Sequence, residues 1–271
     1  MIELDYTQVE AVLVRFIRDF VHKNGFENAV LGVSGGLDSA VALSLTRLAL
    51  GPRHTRALFM PYRLSSPQSP ADAQALCREL EVKAETVEIT SMVDAYLESF
   101  PTDNPVQVGN LCARARMMVL FDHSERYRAL VIGTSNKSEI LIGYSTIFGD
   151  SAAACLPLGD LYKTQVFGLA AHLDIPAQIR NKPPTADLWD QQTDEGEIGL
   201  TYKELDRILF HRVEERLRVD EVVALGHERE TVLRVEDMIV RSQFKRVMPP
   251  VAKLQNRSVG IDFRYPRDWK R

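Results

Sequence analysis

Gly32-Val33-Ser34-Gly35-Gly36-Leu37-Asp38-Ser39 decides the fold class of this 271-residue chain. The stretch follows the apolar run Ala29-Val30-Leu31 and precedes a helix-like segment over 40–50. A strand, a glycine-rich turn and a helix start make a cradle for phosphate. Successive backbone N–H groups and the helix N-terminus supply fixed positive charge, and glycines let the backbone approach the anion. No Lys follows the second Gly of the turn, so this is not the GxxxxGK[ST] nucleotide loop. Asp38 and Ser39 stand at the helix start instead. A carboxylate beside bound phosphate suits Mg²⁺, a hard cation that shares oxygen ligands with its substrate.

Outward from that turn, strand-like and helix-like segments alternate. Apolar or β-prone runs lie near 29–33, 56–60, 85–89 and 129–133, with helical patterns over 39–50, 70–80, 91–99 and 110–127 between them. Such alternation predicts an α/β fold, a doubly wound parallel sheet flanked by helices. Ligands bind such sheets beyond the carboxyl ends of the strands. The glycine turn lies at one such end and Gly133-Thr134-Ser135-Asn136-Lys137 at another. An amphipathic helix through Val9, Val12, Leu13, Phe16, Ile17 and Phe20 opens the chain and stops at Asn24-Gly25. From Lys163 onward the pattern is mainly helical. Two polar, proline-containing stretches, 62–69 and 181–196, read as binding loops or as solvated connectors.

Composition excludes several classes. A net charge of −4 with 26% charged residues argues against a protein dominated by nucleic-acid phosphate contacts. Residues 1–10 carry no apolar signal segment, and no apolar run approaches the ~18 residues of a membrane span. Cys77, Cys112 and Cys155, widely spaced and odd in number, suit reduced cytoplasmic thiols better than disulfides or a zinc site. The stretch 241–271 is basic and reads as a counter-surface for phosphates or a partner subunit rather than for nucleic acid.

The SGGLDS core resembles the SGGxDS signature of the ATP pyrophosphatases, which split ATP between its α- and β-phosphates and adenylate a substrate. Later segments narrow the resemblance. Asn110 to Met117 resembles the NxxARxRM segment of NAD synthetases, and Gly133 to Glu139 their GTSNxSE segment. Gly143-Tyr144-Ser145-Thr146, Pro157 to Thr164, Lys182-Pro183-Pro184-Thr185 with the residues up to 189, and Gln192 to Glu195 follow in family order. The resemblance covers nearly the whole chain.

It implies an adenine nucleotide alpha hydrolase-like fold with a helical C-terminal part, as a single NAD synthetase domain over 1–271 with no glutaminase domain. The implied reaction is ATP-dependent amidation of deamido-NAD. Ammonia is the nitrogen donor by elimination, either free or handed over by a separate glutaminase. The resemblance implies a homodimer, and the thiols and the N-terminal residues suit a cytoplasmic protein.

It also assigns residues. Gly32, Val33, Ser34, Gly35, Gly36, Leu37, Asp38, Ser39, Thr134, Lys163 and Thr185 bind ATP. Asp38, Ser39 and Lys163 serve catalysis, Asp38 and Glu139 hold Mg²⁺, and Arg114 and Lys245 meet deamido-NAD. Each position has a plainer reading. Glu139 has the lesser alternative of a surface helix residue, Thr134 that of a helix N-cap and Lys163 that of a solvated lysine after a turn. Arg116 reads as the partner of a structural salt bridge, and Asp194 and Glu195 as caps or surface charges.

Three positions depart from the family pattern. Ile147 stands where many members have Lys, Ala154 where they have Asp, and Phe244 where they have His. All three lie on the substrate side. They leave open a different grip on the nicotinate end, or another adenylating amidase acting on a different carboxylate. A non-catalytic adenine-nucleotide sensor is the more distant alternative.

Overall fold

The structure, a computed structural model, describes residues 3–64, 68–185, 192–260 and 262–263. Its centre is a four-stranded parallel sheet of β1 (Asn28–Gly32), β2 (Thr55–Phe59), β3 (Lys83–Thr86) and β4 (Ala129–Val131), ordered β3-β2-β1-β4. Every pairing is parallel, with Ala29 opposite Thr55, Ala29 opposite Leu130 and Arg56 opposite Lys83.

Helices cover both faces, and alternation along the strands decides which. Ala29, Leu31, Ala57 and Phe59 point into a core with α1 (Tyr6–Lys23), α2 (Leu37–Leu50), α3 (Gln68–Glu79) and α7 (Lys163–His172). Val30, Leu58 and Val131 point the other way, against α4 (Thr90–Ser99) and α5 (Pro105–Tyr127). Strands buried on both faces are apolar at successive positions, the pattern of parallel sheets.

Local chemistry explains the ends of the elements. Asp5 caps α1 by accepting from the N–H of Thr7 at 3.0 Å, and Gly25 follows the helix at φ +79°. Helix α5 starts five residues before the sequence pattern predicts, because Asn104 caps it and Pro105 takes the first helical position. Strand β3 sits earlier than the predicted 85–89, since only Lys83–Thr86 pairs with β2. The chain beyond it still donates from Val87 to Phe59 at 2.8 Å and from Ile89 to Pro61 at 3.0 Å.

A third core gathers the C-terminal helices. Helices α9 (Asp194–Ile198), α10 (Tyr202–Leu209), α11 (Val219–Ala224) and α12 (Arg229–Arg241) pack Leu205, Ile208, Val222, Val232 and Val235 against α6 (Lys137–Ile142). The short helix α8 (Ala177–Arg180) joins the first core through Ile179. All three cysteines are buried thiols, and burial pushes the Cys77 thiol up to about 11. Among the described residues no helix is long and apolar enough to cross a membrane.

Candidate active site

The strand order reverses direction of growth at β1, whose neighbours are β2 on one side and β4 on the other. That is the switch point where a doubly wound sheet opens a crevice at its carboxyl edge. A cleft of about 510 Å³ occupies it, walled by the turn after β1 and the turn after β4. Its size is ordinary for a small-molecule site.

The turn after β1 runs from Val33 to Gly36. Gly35 adopts φ +81°, a left-handed conformation that side chains resist. The Ser39 hydroxyl donates to the Gly36 carbonyl at 3.0 Å and accepts from the Ser34 N–H at 3.2 Å, closing the turn on itself. Gly36 begins α2 without any side-chain cap. The first N–H groups of α2 therefore face the cleft, the arrangement that receives phosphate.

Asp38, in the first turn of α2, meets two other segments. Its Oδ1 accepts from the Asn136 amide at 2.9 Å, and its Oδ2 lies 2.5 Å from the Lys163 ammonium. Lys163 also reaches Glu139 at 3.2 Å. Asn136, not Thr134, caps α6, in a capping box whose return bond comes from Glu139. Thr134 is thus left to line the cleft. Glu139 lies at the cleft wall with its side chain 15% exposed, so it is no surface charge. Lys163, 2% exposed, is not a solvated lysine either.

Electrostatics follow from this crowding. Burial alone would depress the Lys163 ammonium, but Asp38 and Glu139 reverse the effect and hold it well above its ordinary value. Burial pushes the Glu139 carboxyl up to about 7; Lys163 opposes that and Asp38 and Asp194 reinforce it. Asp194 departs from both plainer readings. Thr193 caps α9, while Asp194 is buried and accepts from the Tyr202 hydroxyl at 3.1 Å. Glu195 accepts from the Tyr202 N–H at 2.7 Å.

The donor set at Asp38 and Glu139 fits a magnesium ion. Both carboxylates already converge on one cation, the Lys163 ammonium. Among the described residues no three His, Cys, Asp or Glu side chains form a metal cluster. Two carboxylates with the remaining positions left to phosphate and water is the usual Mg²⁺ arrangement.

The remaining predicted residues separate. Thr185, Lys182 and Lys245 line the same cleft as the phosphate turn. Lys182 also pairs with Asp72, a buried residue of α3. Arg114 lies on α5 outside the cleft wall, exposed, with Nη2 3.4 Å from the Ile147 carbonyl. Arg116, two residues on, lines the cleft and donates to the Met60 carbonyl at 3.0 Å. Lys245 donates to the Gly143 and Ser145 carbonyls at 2.7 and 2.5 Å. Its neighbour Asp150 lines the cleft and accepts from the Thr146 N–H at 2.7 Å; desolvation raises its carboxyl, while that N–H, Lys245 and Arg116 pull it back.

The basic C-terminal stretch is partly consumed inside the chain. Arg246 donates to the Ile140 and Leu141 carbonyls at 3.1 and 2.6 Å, and Arg241 pairs with Asp237 at 2.8 Å. Its last residues, 264–271, and residues 186–189 of the second loop motif lie outside the described residues. Sequence reasoning missed Asn136 as a partner of Asp38, together with Tyr202, Asp206 and Asp72. Their partners lie up to 110 residues away, so no local pattern marks them.

Fold and site together define a doubly wound α/β protein with a phosphate cradle and paired carboxylates at its switch point. The sequence matches the family described as NAD synthase over residues 9–249. It is 48% identical over 269 residues to the NH(3)-dependent NAD(+) synthetase of Chlorobium phaeobacteroides (strain BS1), covering 99% of this chain and 97% of that one. Among solved structures, an NMN synthetase from Francisella tularensis superposes with a TM-score of 0.82 at 35% identity, covering 92% of this chain and 99% of the other. An NH3-dependent NAD synthetase from Campylobacter jejuni superposes at 0.80 with 31% identity, over 93% and 100%. The chain belongs to the NAD synthase family, and its fold is the adenine nucleotide alpha hydrolase-like one.

Proposed function

We propose that this chain is a ligase of NAD biosynthesis that amidates deamido-NAD to NAD with ATP and ammonia, releasing AMP and pyrophosphate. The observation that carries the reading is near full-length similarity, at 48% identity, to an NH(3)-dependent NAD(+) synthetase. The site geometry supports it.

A carboxylate is a poor acyl donor because its leaving group is oxide. Attack of the nicotinate carboxylate on the α-phosphorus of ATP forms an acyl-adenylate and expels pyrophosphate. Ammonia then attacks the acyl carbon, AMP leaves, and a proton is released. No protein nucleophile is required. The protein must align two anions, neutralise their charge and keep water from the adenylate.

The residues present suit those tasks. The loop of Ser34, Gly35, Gly36 and Ser39 holds the leaving pyrophosphate, and Gly32, Val33 and Leu37 complete the ATP-binding turn around it. Lys163 and Thr185 complete the phosphate shell, Lys182 adds a charge from the second loop, and Thr134 meets a phosphate or the ribose. Asp38 and Glu139 hold Mg²⁺, which when bound neutralises phosphate charge. Arg114 and Lys245 grip deamido-NAD. The nitrogen donor is free ammonia or the product of a separate glutaminase.

We further read the protein as a cytoplasmic homodimer. The exposed apolar residues Val106, Met118 and Phe121 of α5 and Tyr96 and Phe100 of α4 offer a face for a second copy. Sedimentation at micromolar concentration tests that point.

A second reading has one observation behind it, the close superposition on an NMN synthetase. In it the same chemistry acts on nicotinate mononucleotide. Purified protein supplied with ATP, Mg²⁺ and ammonium, and offered each acid in turn, separates the two. NAD formed faster from the dinucleotide supports the first reading, and preference for the mononucleotide supports the second. Glutamine in place of ammonium should give no product.

A further inference from the structure

Helix α10 carries two polar residues one turn apart, Tyr202 and Asp206, and both serve Lys163. Residues four apart on a helix share a face. The Tyr202 ring lies beneath the Lys163 ammonium, 5.0 Å from Nζ to the ring centre. Asp206, with no exposed surface, reaches the base of the same lysine.

Its Oδ2 accepts from the Thr164 N–H at 2.8 Å and from the Thr164 hydroxyl at 2.7 Å. Its Oδ1 accepts from the Ser138 hydroxyl at 2.5 Å, and that hydroxyl oxygen accepts from the Lys163 N–H at 2.9 Å. One carboxylate thus ties the first two N–H groups of α7 to the residue that directly precedes Glu139 on α6.

A buried carboxylate is costly unless donors satisfy it, and an apolar residue among Leu205, Ile208 and Leu209 would avoid that cost. Burial raises the Asp206 carboxyl, while the Ser138 and Thr164 donors pull it back. The start of α7 also favours an anion there. Lys163 and Glu139 stand on different helices, so their spacing depends on how α6 and α7 are joined.

We propose that Asp206 is a positioning residue: through Ser138 and the first turn of α7 it fixes the Lys163 ammonium relative to Glu139. It thereby sets the spacing of the groups that meet the ATP phosphates, which rests on the reading that ATP binds there. Groups that support a reacting shell typically matter by about 10- to 100-fold.

The test combines Asp206→Asn, Thr164→Val and Lys163→Ala with the Asp206→Asn/Lys163→Ala double variant. Both kcat and the affinity for Mg·ATP by calorimetry are read. Asp206→Asn keeps the shape but turns a donor toward donors, and should lower kcat about 10- to 100-fold. Thr164→Val, which removes one hydroxyl, should cost several-fold and keeps the test alive should Asp206→Asn not fold. Because Asp206 acts through Lys163, the double variant should match Lys163→Ala within about twofold in both readouts. A merely structural role would multiply in full onto Lys163→Ala, and that result overturns the proposal. So does wild-type kcat with wild-type Mg·ATP affinity in Asp206→Asn, or in Thr164→Val where Asp206→Asn does not fold. Should the wild-type protein form no NAD, the functional reading fails, and the coupling between positions 206 and 163 in Mg·ATP affinity still decides the positioning role.

Discussion

The Lys163 ammonium and the Asp38 carboxylate lie 2.5 Å apart although 125 residues separate them in sequence. Both side chains are largely buried, 3% and 18% exposed, and Glu139 shares the same ammonium. Lys163→Met leaves two neighbouring carboxylates without their cation. Breaking such a buried pair costs about 3 kcal/mol, and urea unfolding should show a loss of that order that millimolar Mg²⁺ partly restores. NAD formation should fall by more than about 100-fold, since a charge at the transferring phosphate is lost. Asp38→Asn should abolish turnover similarly while the protein stays folded.

Glu139 carries the pH dependence. Burial pushes its carboxyl up to about 7 from an ordinary value of 4.5. Between those values the folded state holds a proton that the unfolded chain has lost. The contribution to stability is therefore complete below the ordinary value and disappears as pH rises through about 7. Glu139→Gln cannot titrate. Its melting temperature relative to wild type should climb from about pH 5 to pH 8 in the absence of Mg²⁺. A constant offset across that range would contradict the assignment.

Lys245 lines the cleft and Arg114 lies outside its wall, and in the proposed function both meet deamido-NAD. Arg114→Ala should raise KM for deamido-NAD more than about tenfold and leave KM for ATP within about twofold, the pattern of lost substrate binding. Lys245→Met should act in the same direction. Steady-state kinetics varying each substrate in turn checks both, and equal effects on the two KM values would refute the division of labour.

Gly143 joins fold to function. It closes α6 at φ +70°, and a Cβ there would stand 2.1 Å from the Ser242 Cβ. Its carbonyl also accepts from Lys245 at 2.7 Å. Gly143→Ala combines a left-handed penalty of about 1 kcal/mol with overpacking of about 1 kcal/mol or more. Urea unfolding should report a loss of at least about 2 kcal/mol, with KM for deamido-NAD raised alongside.

What the sequence made legible was local. The Ser34-to-Ser39 turn reads directly because its function lies in its own backbone, and the alternating segments read because parallel strands must be apolar on both faces. Strand β3 slipped because its limits are set by pairing with β2, not by its own residues. Lys163 carried weight only through family resemblance, for its neighbours Asp38 and Glu139 arrive from other elements. Asp194, read as a cap or surface charge, is buried because Tyr202 and the Lys163 pocket enclose it. Asp206 was invisible, since its donors come from Ser138 and Thr164, 68 and 42 residues away.

The central claim is that the substrate carboxylate is activated as an adenylate, and isotope transfer tests it most directly. Deamido-NAD labelled with ¹⁸O in its nicotinate carboxylate is turned over with ATP, Mg²⁺ and ammonium, and the products are weighed by mass spectrometry. Attack on the α-phosphorus places one ¹⁸O in AMP and none in pyrophosphate. Unlabelled AMP, or label in pyrophosphate or phosphate, would contradict the account.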